Sequence, residues 1–127
     1  PRMMRDLSKL SELRPGLIPV LGDARKPAVI SPYLRHKVDW IHQDISVAEQ
    51  TKSFLKISEI FLKSEGIGLL SLKAASERWM EGGDDSRFKE AEEMIKSNES
   101  VILLENIDIS HFESQHRIFV VQKISDS

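Results

Sequence analysis

Two side chains of opposite charge follow apolar segments of this chain. Asp44 comes shortly after the segment Val38–His42, and Lys73 comes directly after Gly68–Leu72. In an open parallel sheet, ligands bind beyond the carboxyl ends of the strands, so residues that end neighbouring strands share one edge. We therefore expect a carboxylate and an ammonium side by side there, a pair that can orient a polar group and stabilise negative charge. An ordinary surface ion pair is the alternative.

Two further candidate residues lie next to apolar segments. Asp23 follows Gly22 at the end of the apolar segment Leu17–Leu21, where its carboxylate could accept a hydrogen bond from an exocyclic amine such as that of adenine. The alternative is a turn-forming Gly-Asp pair, which is common. His116 precedes the last apolar segment, and at such a position we expect a partly exposed histidine at the edge of the sheet.

Apolar segments that alternate with amphipathic stripes predict an α/β sheet with helices on both faces. The opening segment has helical spacing as far as Leu13, a second stripe runs from Ala48 to near Lys63, and a third carries Phe88. The last two predicted strands are expected to form an antiparallel pair at the end of the sheet. The predicted strands are Leu17–Leu21, Val38–His42, Gly68–Leu72, Val101–Leu104 and Ile118–Val121.

Composition narrows the class of protein. The 127 residues, 40% hydrophobic and 30% charged, predict one globular domain over 1–127. The chain contains no cysteine, which excludes disulfides and thiolate sites, and its four histidines lack the helical spacing of a zinc site, so we expect no metal. A formal net charge of −2 does not predict nucleic-acid binding by bulk charge. No apolar run approaches the roughly 20 residues of a membrane span, and we expect an intracellular protein without membrane contact.

Six segments, in order along the chain, are similar to segments of the fibrillarin family of RNA 2'-O-methyltransferases, in the archaeal style. Together they cover essentially the whole chain, and their order makes the resemblance specific. They are Pro1–Arg2 with the helix that follows, Val20–Pro27, Val38–Asp44, Glu49–Thr51, Phe61–Lys73, and Phe112–His116 with Phe119–Val121.

The resemblance implies a class I methyltransferase sheet, which is Rossmann-like, with helices on both faces and a terminal antiparallel hairpin. This chain would be the carboxy-terminal portion, a single partial methyltransferase domain. The family's first two strands, its glycine-rich turn, its ribose-binding acid and its first catalytic lysine would all precede Pro1. The amino-terminal strands are therefore expected to be missing from this chain, and its sheet alone to be incomplete or rearranged.

The resemblance also implies S-adenosylmethionine as cofactor and assigns the site residues. Asp23 and Ala24 would contact the adenine. The residues that would line the cofactor near its methionine end are Asp44, Ile45, Ser46 and Val47. The catalytic residues would be Asp44, Lys73 and His116, with the histidine near the ribose.

Two positions depart from the family's pattern, and the ordinary pKa of lysine limits the role that Lys73 can take. The family usually has Ala-Gln where this chain has Ser46 and Val47, and aspartate where it has Gln115. A lysine side chain has an ordinary pKa of about 10.4 and is protonated at neutral pH. Lys73 is the best candidate for the base that takes the hydroxyl proton, but only in its neutral form, and Asp44 favours the charged form. We therefore expect Asp44 chiefly to orient Lys73 and the attacking hydroxyl, and Lys73 to stabilise negative charge on oxygen instead.

By resemblance, the protein would methylate rRNA or tRNA at nucleotides that a guide RNA selects. Its partners would be a Nop-domain scaffold protein and a kink-turn-binding protein. Its location would be the cytoplasm of an archaeal-type cell, or the nucleolus of a eukaryote. One alternative is a non-catalytic remnant or scaffold-binding module that lacks the glycine-rich cofactor motif. Another is a small-molecule methyltransferase of the same broad fold.

Overall fold

A computed structural model of the chain describes residues 2–45, 49–73, 83–109 and 116–124, with side chains from 87 onward in the third of these ranges. The chain divides into two compact units, Pro1–Arg35 and His36–Ser127, and each is described by itself. The single domain over 1–127 stays a prediction.

The first unit is helical at both ends. Helix α1, Arg2–Leu13, ends just before Pro15, and the turn that follows contains Gly16 at φ 91°, a conformation that favours glycine. The short helix α2, Pro27–Ile30, begins with a proline at a position where no intrahelical amide bond is lost. A 3-10 turn, Ser31–Tyr33, follows directly.

The predicted strand Leu17–Leu21 is wrong, because this segment has no regular secondary structure. Ile18 and Leu21 are 57% and 68% exposed, whereas a central strand would bury them. Pro19 lacks the amide hydrogen that a central strand needs on one side. Within the residues that the structure describes, no strand pairs with this segment, so its backbone has no ladder to join.

The second unit is a four-stranded mixed sheet with two helices. The strands lie in the order β1-β2-β4-β3, with β1 parallel to β2 and the other two pairings antiparallel. The predicted strands after residue 36 are confirmed, including the antiparallel pair at the end of the chain. The elements are β1 Val38–Gln43, α3 Gln50–Phe61, β2 Leu62–Lys73, α4 Gly83–Ser97, β3 Val101–Asp108 and β4 His116–Lys123.

Strand β2 is longer than its apolar pattern predicts, since it begins directly after α3 ends. The pairing with β1 shifts between Val38, opposite Leu62, and Trp40, opposite Ile67. The additional residues of β2 at this shift include Glu65, which lies next to Gly66 and adopts the left-handed conformation at φ 68°. A Cβ on Gly66 would lie 3.0 Å from the Asp39 carbonyl oxygen, so this close approach of the two backbones requires glycine.

Both helices of the second unit pack against the same face of its sheet, the core face. There they bury one apolar cluster, whose ring Phe54 lies directly over Gly68. The ammonium of the buried Lys123 donates to the carbonyl oxygens of Glu59 and Leu62, both at 3.0 Å, and so ties β4 to the end of α3. The cluster consists of Phe54, Leu55, Leu70, Leu72, Phe88, Ala91, Ile95, Val101, Phe119 and Val121.

The opposite face of the sheet carries residues that pair in register across the strands, among them Trp40, Ile67 and Ile102. Trp40 is 57% exposed and Ile102 is also exposed. Within the described part of the second unit, neither helix covers this face. The sheet therefore has one packed face and one face with large apolar side chains in contact with solvent.

Candidate functional site

The carboxyl ends of β1 and β2 bring Asp44 and Lys73 to the same edge of the sheet. Gln43 ends β1 and pairs with Leu70, while Lys73 is the last residue of β2. Because successive side chains of a strand point to opposite faces of the sheet, His42 lies on the face that also carries Ser71 and Lys73. Asp44 follows His42 by two residues. The structure therefore places the acid and the amine on neighbouring parallel strands, at the edge where such sheets bind ligands.

The two groups are not joined in an ion pair among the described residues. The register explains this result: Asp44 is one residue beyond the Gln43–Leu70 pair, whereas Lys73 is three residues beyond it. The difference of two residues corresponds to about 7 Å along the strands. Both side chains are exposed, which leaves room between them for a substrate group.

His116 lies directly opposite Lys73 in the antiparallel pairing of β2 and β4. Residues paired in this way project from the same face, so the imidazole and the ammonium are neighbours. His116 is only 7% exposed and has a polar interaction of its own. The expectation of a partly exposed histidine at the edge of the sheet is thus wrong, since the residue is buried and β4 is an interior strand between β2 and β3.

A second polar pair lies on the same face, a little further from the edge. His42 Nε2 is 3.0 Å from the Ser71 hydroxyl oxygen, and the rings of Trp40 and His42 are 5.9 Å apart. Ser71 is buried. Sequence reasoning did not single out this pair, because only the register of β1 against β2 brings the two side chains together.

A hydrogen bond between two glutamines joins the end of β1 to the start of α3. The Gln43 side-chain amide donates to the Gln50 carbonyl oxygen at 3.0 Å. Gln50 itself is 1% exposed, and neither atom of its carboxamide has a hydrogen-bond partner among the described residues. Sequence analysis missed this feature, although Gln50 precedes Phe54 by four residues and so lies on the apolar stripe of α3. A polar residue on such a stripe was the available signal.

In the first unit, Asp23 forms a compact turn with Arg25. One carboxylate oxygen accepts hydrogen bonds from the Arg25 backbone amide and Nε, both at 3.0 Å, and the other accepts from its terminal guanidinium nitrogen at 2.8 Å. The Lys26 amide donates to the Asp23 carbonyl oxygen. The Arg25 side chain, and then its backbone amide, lower the pKa of Asp23 from 3.8 to about 2. Asp23 is therefore an ionised hydrogen-bond acceptor throughout the neutral range.

Replacing Arg25 by glutamine is expected to raise the pKa of Asp23 from about 2 back toward 3.8. The folded-state pKa is depressed, so the stabilisation is present above pH 3.8 and is lost as the pH falls through about 2. Titration of the Asp23 carboxyl carbon by NMR measures both values. An equal midpoint in the two proteins would show that Arg25 does not hold the carboxylate.

The other residues assigned by resemblance are partly described. Ala24 is exposed and Ile45 is half-buried. Ser46, Val47 and Gln115 lie outside the described residues. In the described ranges no group of three histidine, aspartate or glutamate residues is placed to hold a metal ion. No helix in these ranges has both the length and the apolar character that a membrane span requires.

The parallel pair β1–β2, its helical cover and the polar residues at its carboxyl edge define the class, a Rossmann-like α/β arrangement with a ligand site at the strand ends. Within that class, the model of the family described as Fibrillarin matches residues 1–125. The chain therefore belongs to the fibrillarin family.

One curated relative is the fibrillarin-like rRNA/tRNA 2'-O-methyltransferase of Thermococcus gammatolerans. It is 35% identical over 123 residues, which make up 97% of this chain and 53% of the relative. The chain spans about half the length of the curated relatives it matches.

Three solved structures share the fold. The fibrillarin pre-rRNA processing protein of Methanococcus jannaschii superposes with a TM-score of 0.84 at 32% identity, over 99% of this chain and 54% of that one. A fibrillarin in complex with Nop5p gives 0.85 at 24% identity, over 97% and 57%. Aeropyrum pernix fibrillarin, with natively bound S-adenosyl-L-methionine, gives 0.70 at 24% identity, over 95% and 51%.

Proposed function

We propose that this chain carries part of the active site of an S-adenosylmethionine-dependent enzyme that methylates ribose 2'-hydroxyl groups of rRNA and tRNA. The observation that carries the proposal is the position of Asp44 and Lys73 at the carboxyl ends of adjacent parallel strands. The names of relatives in the fibrillarin family support the choice of reaction. The catalytic residues are Asp44, Lys73 and His116.

The chemistry of Asp23 fits the adenine end of this cofactor. A carboxylate has about four acceptor positions, and three hydrogen bonds from Arg25 are seen. A position remains for the exocyclic amine of adenine, beside Ala24. At the other end of the cofactor, Asp44, Ile45, Ser46 and Val47 would face its methionine part. The solved fibrillarin with natively bound S-adenosyl-L-methionine supports the choice of cofactor.

The bound cofactor supplies an electrophilic methyl group, and the chain's own residues act on the attacking hydroxyl. Positioning that oxygen contributes most of the effect. The Asp44 carboxylate accepts a hydrogen bond from the hydroxyl group, orients it, and takes up its proton as the oxygen gains the methyl group. The Lys73 ammonium, on the neighbouring strand, stabilises the negative charge that develops on the oxygen. His116, opposite Lys73, positions that side chain and the ribose.

The proposed partners are a guide RNA with its target, a Nop-domain scaffold protein and a kink-turn-binding protein. The solved complex of a fibrillarin with Nop5p supports the scaffold. A net charge of −2 is consistent with partner proteins that supply most of the contacts to RNA. The proposed location is the cytoplasm of an archaeal-type cell, or the nucleolus of a eukaryotic one.

Transfer of a labelled methyl group to a guided RNA target tests the reaction. The chain is assayed alone and together with the amino-terminal half of the Thermococcus gammatolerans relative, with the partner proteins present. The expected result is labelled 2'-O-methylribose at the guided nucleotide, and no label on small hydroxylated acceptors. Label on the small acceptors instead would assign a small-molecule methyltransferase.

Calorimetry with S-adenosylmethionine separates the enzyme from a non-catalytic, scaffold-binding module. Heat of binding from the chain, alone or with the added half, supports the enzyme. Absence of binding in both preparations, together with retained binding of the scaffold protein, would assign the module.

A further inference from the structure

Two glutamines stand at the two ends of the connection that follows β1. Gln43, the last residue of β1, lies on the core face of the sheet, because it pairs with the buried Leu70. From that face its amide reaches the carbonyl oxygen of Gln50, the first residue of α3. This hydrogen bond joins the end of the strand to the first turn of the helix, and Asp44 is the next residue after the strand.

The carboxamide of Gln50 has an unusual environment for a polar group. The residue is 1% exposed, and its side-chain nitrogen and oxygen both lack hydrogen-bond partners in the described part of the chain. Burying an amide without partners destabilises a protein, so most buried amides are paired. Helical side chains lean toward the amino end of their helix. Gln50 is the first residue of α3, so the Cα–Cβ bond of its side chain tilts toward the connection from β1.

We propose that Gln43 and Gln50 are positioning residues for Asp44. Gln43 holds the end of β1 against the first turn of α3. The Gln50 carboxamide donates to and accepts from the peptide groups beside Asp44 once the cofactor is bound. The inference rests on the proposed function, since it takes Asp44 to be part of a cofactor site.

The proposed role of Gln50 has different effects on the stability of the free protein and on cofactor binding, and this difference makes it testable. A carboxamide that finds partners only in the bound state costs stability in the free protein and gains hydrogen bonds on binding. An apolar side chain of the same length should therefore leave the free protein at least as stable, while the bound state is weakened. A purely structural residue would lose stability and binding together.

The experiment measures the dissociation constant of S-adenosylhomocysteine by calorimetry and the melting temperature of the unliganded protein. It uses the preparation, chain alone or chain with the added half, that binds the cofactor. Gln43→Glu removes the donor, and Gln50→Met removes the carboxamide. Each is expected to weaken binding by about threefold to tenfold, the size of one lost hydrogen bond. Gln50→Met is expected to leave the melting temperature unchanged or raised.

Two matched controls lie elsewhere in the same unit. Gln122 also donates its side-chain amide to a backbone carbonyl, that of Glu65 at 3.2 Å, so Gln122→Glu should leave binding unchanged. Ser58 is a fully buried α3 residue whose hydroxyl has no described partner, so Ser58→Ala should not affect binding either.

Three results would overturn the inference. The first is that both glutamine variants bind S-adenosylhomocysteine as tightly as the wild type does. The second is a melting temperature of unliganded Gln50→Met that falls as binding weakens. The third is an equal loss of binding in the controls. A wild-type protein that binds no S-adenosylhomocysteine in either preparation would instead reject the proposed function, and the inference with it.

Discussion

Replacing Lys73 by alanine is expected to lower the rate of guided RNA methylation by about a hundredfold or more, with cofactor affinity little changed. Lys73 ends β2, opposite His116 and on the strand next to the one that leads to Asp44. An ammonium at this place interacts with charge that appears on the oxygen as the reaction proceeds. An interaction made mainly in the transition state affects turnover more than binding. Single-turnover methylation and calorimetry measure the two quantities separately.

Lys63 provides a matched control on the same strand. It lies at the opposite end of β2, where its ammonium forms an exposed ion pair with Asp39. Exposed ion pairs of this kind contribute little to stability, so Lys63→Ala should keep both the rate and the cofactor affinity of the wild type. Unchanged turnover in Lys73→Ala would remove Lys73 from the catalytic residues. A matching loss of cofactor affinity would make it a binding residue.

The Phe54→Ala variant is expected to lose about 3–5 kcal/mol of unfolding free energy, the usual cost of deleting a buried aromatic ring. Phe54 is 0% exposed, in the centre of the apolar cluster between α3 and the sheet. Its ring lies so close to Gly68 that a Cβ there would be 2.9 Å from the Phe54 Cζ atom. Neighbouring groups on a paired strand cannot close over the space that the ring leaves. Denaturant unfolding measures the loss.

Ile60 is the control in the same helix. It is 41% exposed, so Ile60→Ala should cost only about 1–2 kcal/mol, since just part of its surface is removed from water on folding and no closed cavity is left. A loss in Phe54→Ala no larger than that in Ile60→Ala would show that the cluster is not the centre of the core.

Local pattern was sufficient to predict most elements of the second unit. β1 and α3 lie close to where their apolar spacing predicts them, and the closing pair β3–β4 is antiparallel as expected. Such patterns report which side of an element is buried, and they repeat within a few residues. The ordered motifs also led to the fibrillarin family, which the family model confirms over residues 1–125.

The failures have a common physical cause, because each depends on a partner that is distant in sequence. Leu17–Leu21 has the composition of a strand but lacks a described strand beside it, and a hydrogen-bond ladder requires two paired strands. His116 belongs to an interior strand and not to an edge strand, since β4 lies between β2 and β3, and strand order is not a local property.

The amino-acid sequence by itself determined the family, the types of most elements and the presence of an acid and an amine just after two strands. Only the tertiary structure decided that Lys73 faces His116, that Asp44 is offset from the amine and that Gln50 is buried. These relations depend on strand register and helix packing, in which residues tens of positions apart fix each other's place. A pattern of neighbours along the chain contains no such information.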